Sequence, residues 1–203
     1  MVNDVTTIPL DLAYKGARNY LHGTDIYQAI MNHLTCAVPE YCNGPFKMVI
    51  HEFVRSQCRM LYTVGPDRVA RPPMARVEFT LANKVTGWLA ETGQPVYDRR
   101  PYPEDAIVAD SRVVGQVIYA GKCTSFGPIE VLVAMTKRLH MAVRPDRSRW
   151  AFTRLELLRP LRESDCDDLE IELLQSLGNR LTKASVRAGG SLLGHVYFST
   201  VEA

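Results

Sequence analysis

The stretch HGTDIYQAIMNHL, His22 to Leu34, decides how this chain folds, because FGPIEVLVAMTKRL, Phe126 to Leu139, repeats its plan about a hundred residues later. In the first copy a Gly-led start is followed by apolar residues at 26, 27, 30, 31 and 34, the spacing of a buried helical stripe. The spacing predicts a helix from Thr24 to about Thr35, with Thr24 as its N-cap and Asp25 suiting the positive end of the helix dipole. Pro39, Asn43, Gly44 and Pro45 stop it. In the second copy Pro128 suits a first helical turn, and Lys137 and Arg138 fall near the C-terminal end, where cations are favoured. The Val and Ile of residues 129–133 leave a strand as the alternative there.

Outward from each helix the sequence reads as strands. Before the first lies a short extended stretch, Thr7 to Leu12. After it, Phe46 to Val64 is rich in β-branched and aromatic residues and reads as one long bent strand interrupted at Arg55 to Gln57. Ala75 to Leu81 alternates, Asn83 and Lys84 turn the chain, Val85 to Ala90 is the partner, and Gly93 begins another reversal into Val96 and Tyr97. Charged, Pro-bearing Asp98 to Asp110 is the linker candidate, so the expected halves are residues 1–105 and 106–203. Val113 to Tyr119 resumes strand character. Beyond the second helix, Trp150 to Leu161, Leu169 to Leu174, Leu181 to Arg187 and Leu192 to Ser199 predict four antiparallel strands. Asp165 to Asp168, Gly178 with Asn179, and Gly189 with Gly190 supply their turns. Both halves are read as running helix, then strands, in the same order.

Composition narrows the function classes. The 203 residues carry 24 Lys and Arg against 22 Asp and Glu, a net charge of +2 with no basic block, which disfavours nucleic acid as a partner. Cys36, Cys42, Cys58, Cys123 and Cys166 are widely spaced with no CxxC, and read as reduced thiols of a cytoplasmic protein with no metal site. MVNDVTTIPLDLAYKG lacks the pattern of a secretory leader, and the longest apolar run, near Ile129 to Met135, falls short of the ~18 residues of a membrane span, so no membrane association is expected. No GxGxxG or GxxxxGK[ST] arrangement supports a phosphate-cradling loop.

A buried helix wrapped by an antiparallel meander, occurring twice, resembles the hotdog fold. FTRLELLRPLRESDCDDLEIELL (152–174) and KASVRAGGSLLGHVYFS (183–199) are similar to the β-hydroxyacyl-carrier-protein dehydratase and acyl-CoA thioesterase branches of that superfamily. There a strand ending in Pro leads to a polar turn, a strand, and a last pair of strands joined at a Gly. The resemblance implies an α+β double hotdog, two antiparallel sheets each wrapping a central helix. It also implies an acyl-thioester enzyme whose substrate is carried on CoA or on the pantetheine of an acyl carrier protein, with no resident cofactor. A dehydratase-type lyase of a fatty-acid- or polyketide-like pathway is the first expectation, a thioesterase the second, and a non-catalytic acyl-binding or scaffold protein the third. A homodimer is compatible with each.

By the same resemblance His22, just before Gly23, matches the dehydratase histidine and would be the base. Gln28 and about Val133 stand where that family places its acid, and Met31 and Asn32 where thioesterases that also open on His-Gly place an Asp. The nearest carboxylates are Asp25 and Glu130. Glu130 sits among Ile129, Val131, Leu132 and Val133, where burial would raise its pKa toward a general acid's. Asp25 could instead activate water, though an Asp in a first turn commonly just faces the dipole. The amides of Gly23 and Gly127 are candidate carbonyl donors, and Tyr27 and Gln28 candidate substrate contacts. Only the first copy has a His before its Gly and only the second a carboxylate among apolar residues, so the expectation is one composite site. Each has a plain structural alternative: His22 capping a loop, Tyr20, Tyr27, Tyr62 and Tyr119 filling core, Cys58 a buried thiol rather than a nucleophile. His51 and Glu52 adjoin in an expected strand and should face opposite ways.

Overall fold

The computed structural model describes residues 5–66, 68–121, 125–144, 149–178 and 180–201. Cys123 and Asn179, both singled out above, lie outside them. The chain divides into two compact units, Met1–Tyr102 and Pro103–Ala203, the division falling inside the charged, Pro-bearing stretch.

In the first unit β1 (Thr6–Leu10) and a short β2 (Tyr14–Lys15) precede α1 (Gly23–Ala37), which is followed by β3 (Phe46–Ile50), β4 (Cys58–Val64), β5 (Ala75–Leu81), β6 (Val85–Glu91) and a short β7 (Arg99–Arg100). α1 buries the expected stripe, with Ile30 and Leu34 fully covered, and the Tyr27 ring meets Phe46 of β3 edge-on at 5.1 Å. β5 alternates in the expected way, Val77, Phe79 and Leu81 all fully buried. β2 and β7 form a separate parallel ribbon, Tyr14 opposite Arg99 and Lys15 opposite Arg100.

The expected single strand from Phe46 to Val64 is two strands. Residues 51–57 leave the sheet as a loop because Glu91, only 9 % exposed at the end of β6, accepts the amides of Arg55 and Ser56 at 2.6 and 3.1 Å. The interruption at Arg55 to Gln57 lies in that loop, just before β4 begins at Cys58. His51 and Glu52, on this loop, have separate partners, Glu78 and Arg76. Val96 and Tyr97 form no strand: Val96 is buried and Tyr97 is 88 % exposed.

The second unit holds α2 (Glu104–Ile107), β8 (Arg112–Val114), β9 (Val117–Tyr119), α3 (Pro128–Val143), β10 (Arg149–Leu157), β11 (Leu169–Leu177), β12 (Leu181–Ala188) and β13 (Ser191–Val201). The helical reading of residues 129–133 holds. Val113 to Tyr119 is a hairpin, turned at Gly115 with φ +58°, rather than one strand. Inside this unit His140 of α3 stacks on Trp150 at 4.7 Å and lies beside Phe198 at 5.2 Å, so the helix packs on the inward face of β10 and β13. Gly194 is required by its place: at φ +150°, a Cβ there would stand 2.0 Å from the Glu156 carbonyl oxygen of the paired strand.

Along the chain each helix is followed by four main strands, as expected, but the spatial order of those strands differs between the units. The second unit runs β10-β13-β12-β11, whereas the first runs β3-β5-β6-β4-β1. β11 and β12 are neighbours joined by a tight turn at Gly178. β4 and β5 each pair antiparallel with β6, so they run the same way and need a longer connection past it. That connection is anchored on Trp88 of β6, whose indole N–H donates to the Val69 carbonyl at 3.1 Å while the Arg71 guanidinium lies over the ring.

Candidate functional site

The start of α1 gathers the first unit's polar groups. His22, at φ −75° and ψ 136°, is the N-cap residue, and its carbonyl accepts the amides of Asp25 and Ile26. Thr24, expected as the cap, lies two residues inside: its hydroxyl faces His22 Nδ1 at 2.7 Å and Lys15 Nζ at 3.3 Å instead of an orphan amide. Lys15 Nζ also forms an ion pair with Asp25 Oδ1 at 2.7 Å. The Tyr102 ring stands 5.0 Å from the His22 ring, with Lys15 and Arg18 each 5.0 Å over it. Thr24 is fully buried, Lys15 6 % exposed and His22 7 % exposed, so this is a desolvated cluster in which electrostatic interactions are strong.

The β2–β7 ribbon builds the cluster. Gly16, at φ +55°, turns the chain just after Lys15, and Arg99 clamps that turn by donating to the carbonyls of Gly16 and Arg18. The α1 start contributes the Gly23 and Thr24 amides, which a helix leaves without intrahelical acceptors, so the positive helix end opens beside His22. Desolvation, a positive helix end and an imidazole together suit holding and polarising a carbonyl group.

The other expected residues have definite places. Asp25 is the ion-pair partner of Lys15. Tyr27 is 3 % exposed and packed on Phe46, and Gln28 lies exposed outside the buried stripe, donating to Asn32 Oδ1 at 2.7 Å. In the second unit the Glu130 carboxylate turns back on the start of its own helix and accepts the Gly127 amide at 3.1 Å. Its neighbours Ile129, Leu132 and Val133 are buried while Glu130 itself is half-buried. Cys58 is 1 % exposed, and burial, helped by the Glu91 charge, pushes its thiol up to about 12, which removes it as a nucleophile. Among the described residues no group of three or more His, Cys, Asp or Glu is arranged to hold a metal ion, and no helix is long and apolar enough to cross a membrane.

The sequence reading missed Lys15, Thr24 in its ring-facing role, and Tyr102. Lys15 and Tyr102 lie in segments with no periodicity, and nothing local announces that a parallel two-residue ribbon joins them. A Lys-Gly pair ahead of the helix was the available signal.

A long helix against an antiparallel sheet, in each of two units, is the hotdog fold. No protein-family model matches the sequence, and no curated protein does. Solved structures do. A tesB protein of Mycobacterium avium subspecies paratuberculosis superposes with a TM-score of 0.53 at 14 % identity, over 97 % of this chain and 93 % of that one. The dehydratase domain of the polyketide PpsC from Mycobacterium tuberculosis gives 0.52 at 10 % identity, over 98 % and 93 %. The same dehydratase domain in complex with C12:1-CoA gives 0.50 at 12 % identity, over 97 % and 93 %. The chain is thus an α+β double hotdog.

Proposed function

We propose that this protein is an acyl-thioester enzyme whose substrates are carried on CoA or on carrier-protein pantetheine, and that it dehydrates a β-hydroxyacyl thioester. The observation that carries this reading is His22: a nearly buried imidazole at the opening of the long helix of a hotdog unit, beside amides that can face a thioester carbonyl. Dehydration needs the α C–H acidified by a polarised carbonyl and a proton delivered to the departing hydroxyl. Glu130 remains the carboxylate proposed for that delivery, which Glu130→Gln tests. The chemistry calls for no resident metal or redox group.

Hydrolysis is the alternative, with Asp25 or Glu130 activating water. Asp25 is engaged in an ion pair with Lys15, which counts against its activating water.

Product identity tests it. Incubation with β-hydroxyacyl-CoA should yield the enoyl thioester, and His22→Ala should lower the rate by about 100-fold or more, the scale of a lost proton-transfer or polarising group. Free CoA released from saturated acyl-CoA would replace the lyase with the esterase. Ligand binding with neither product, and unchanged in His22→Ala, would make the protein a non-catalytic acyl binder.

A further inference from the structure

The hydrogen-bond inventory around Thr24 fixes more than the position of His22. The Thr24 hydroxyl has one proton to give and two lone pairs to receive with, and the residue is fully buried. Among the described residues its Oγ1 has two partners, Lys15 Nζ at 3.3 Å and His22 Nδ1 at 2.7 Å. The Lys15 ammonium, held in its ion pair with Asp25, carries donors only. The hydroxyl proton therefore has a single acceptor in reach, Nδ1. If Nδ1 carried a proton as well, two donors would converge on Oγ1 and its own proton would be buried without an acceptor, an arrangement folded proteins avoid. The length agrees: 2.7 Å is usual when a hydroxyl donates, whereas N–H donors commonly stand at about 2.9–3.0 Å.

We propose that Lys15 and Thr24 are positioning residues that hold neutral His22 in its Nε2–H tautomer, so that it meets an acyl thioester as a hydrogen-bond donor to oxygen. A ring in this form cannot accept a proton at Nε2. In this form His22 joins the helix-start amides in polarising the carbonyl. The part played toward a thioester rests on the function proposed above; the tautomer does not.

The two parts separate experimentally. Long-range 1H–15N spectra of the ¹⁵N-His-labelled full chain, taken without substrate at about pH 8, where a free imidazole is neutral, read the tautomer directly, with His22→Gln supplying the assignment. His22 should show an unprotonated Nδ1 and a protonated Nε2. Thr24→Ser should keep that pattern, and Thr24→Val should lose it, giving the Nδ1–H form or a mixture. Because Lys15→Met also removes the Lys15–Asp25 ion pair, the lysine is tested as the Lys15→Met/Asp25→Asn pair, which should also relax the preference. A protonated Nδ1 in the unaltered chain, or a Thr24→Val spectrum identical to it, overturns the proposal. Absence of turnover leaves the spectral result standing, and an Nδ1–H ring leaves the thioester activity standing with His22 restored as a base.

Discussion

His140 Nε2 lies 2.6 Å from Thr182 Oγ1, joining α3 to β12 inside the second unit, while His140 Nδ1 meets the Thr136 carbonyl one turn back at 2.7 Å. The carbonyl can only accept, so Nδ1 carries the proton and Nε2 accepts from the threonine. Both ring nitrogens are satisfied with the ring neutral, and the residue is fully buried. Burial holds the imidazole below its usual range, the Thr136 carbonyl working the other way and Arg144 adding to the depression.

That relationship sets an acid limit on stability. A histidine depressed in the folded state is neutral in both states above its unfolded value, near 6.5, and the unfolded chain alone binds the proton just below it. Stability should be full above about 6.5 and fall as the pH drops toward the lowered folded value. His33 and His195, also depressed by burial first, push the same way. Urea melts at several pH values check this: His140→Leu should flatten the slope below pH 6.5. His140→Ala should cost about 3 kcal/mol by emptying the space beside Trp150 and Phe198.

Glu91 pins the loop before β4. Burial alone would raise its pKa, but the amide of Arg55, the Arg76 guanidinium and the amide of Ser56 outweigh that and hold it below the ordinary 4.5. Its contribution is therefore present above about 4.5 and lost as the pH falls through the folded value. Glu91→Ala, which strands two amides and leaves Arg76 with Glu52 in place of two carboxylates, should destabilise by about 2–3 kcal/mol at neutral pH in denaturant titrations, and Glu91→Gln by less.

Thiol alkylation of the native protein should separate the cysteines. Cys36 is exposed and should react with iodoacetamide in the native protein. Cys58, buried with its thiol pushed up to about 12, should stay unmodified until the chain is unfolded. Peptide mapping before and after denaturant reads both, and native labelling of Cys58 would contradict the burial.

Gly194→Ala should fail to reach the native second unit or lose more than about 2 kcal/mol, because the added carbon meets the Glu156 carbonyl and the φ of +150° is one L-residues rarely adopt. Gly178→Ala is the control. Nothing lies within 4 Å of a Cβ there, so it carries only the strain of its φ of +53° and should cost less.

The two helices, their buried stripes and most strands were legible in the amino-acid order, because a 3.6 or 2.0 residue period is a local property that burial on one side imposes on every turn or pleat. Ile30 and Leu34, or Val77, Phe79 and Leu81, announce their faces before any partner is known. His22 was legible as a candidate for the same reason, standing at the edge of a periodic segment. Tertiary structure alone decided the rest. Whether β4 pairs with β5 or β6 depends on hydrogen bonds to residues far along the chain, and similar alternation is compatible with either. Lys15 and Tyr102 reach His22 through a two-residue ribbon whose members lie more than eighty positions apart, Tyr14 pairing with Arg99. Glu130 looked like a buried acid from its apolar neighbours, yet helix geometry turned it back onto the Gly127 amide. A sequence displays which residues must leave water, but the direction of a polar side chain is set by whichever donors and acceptors the fold delivers to it.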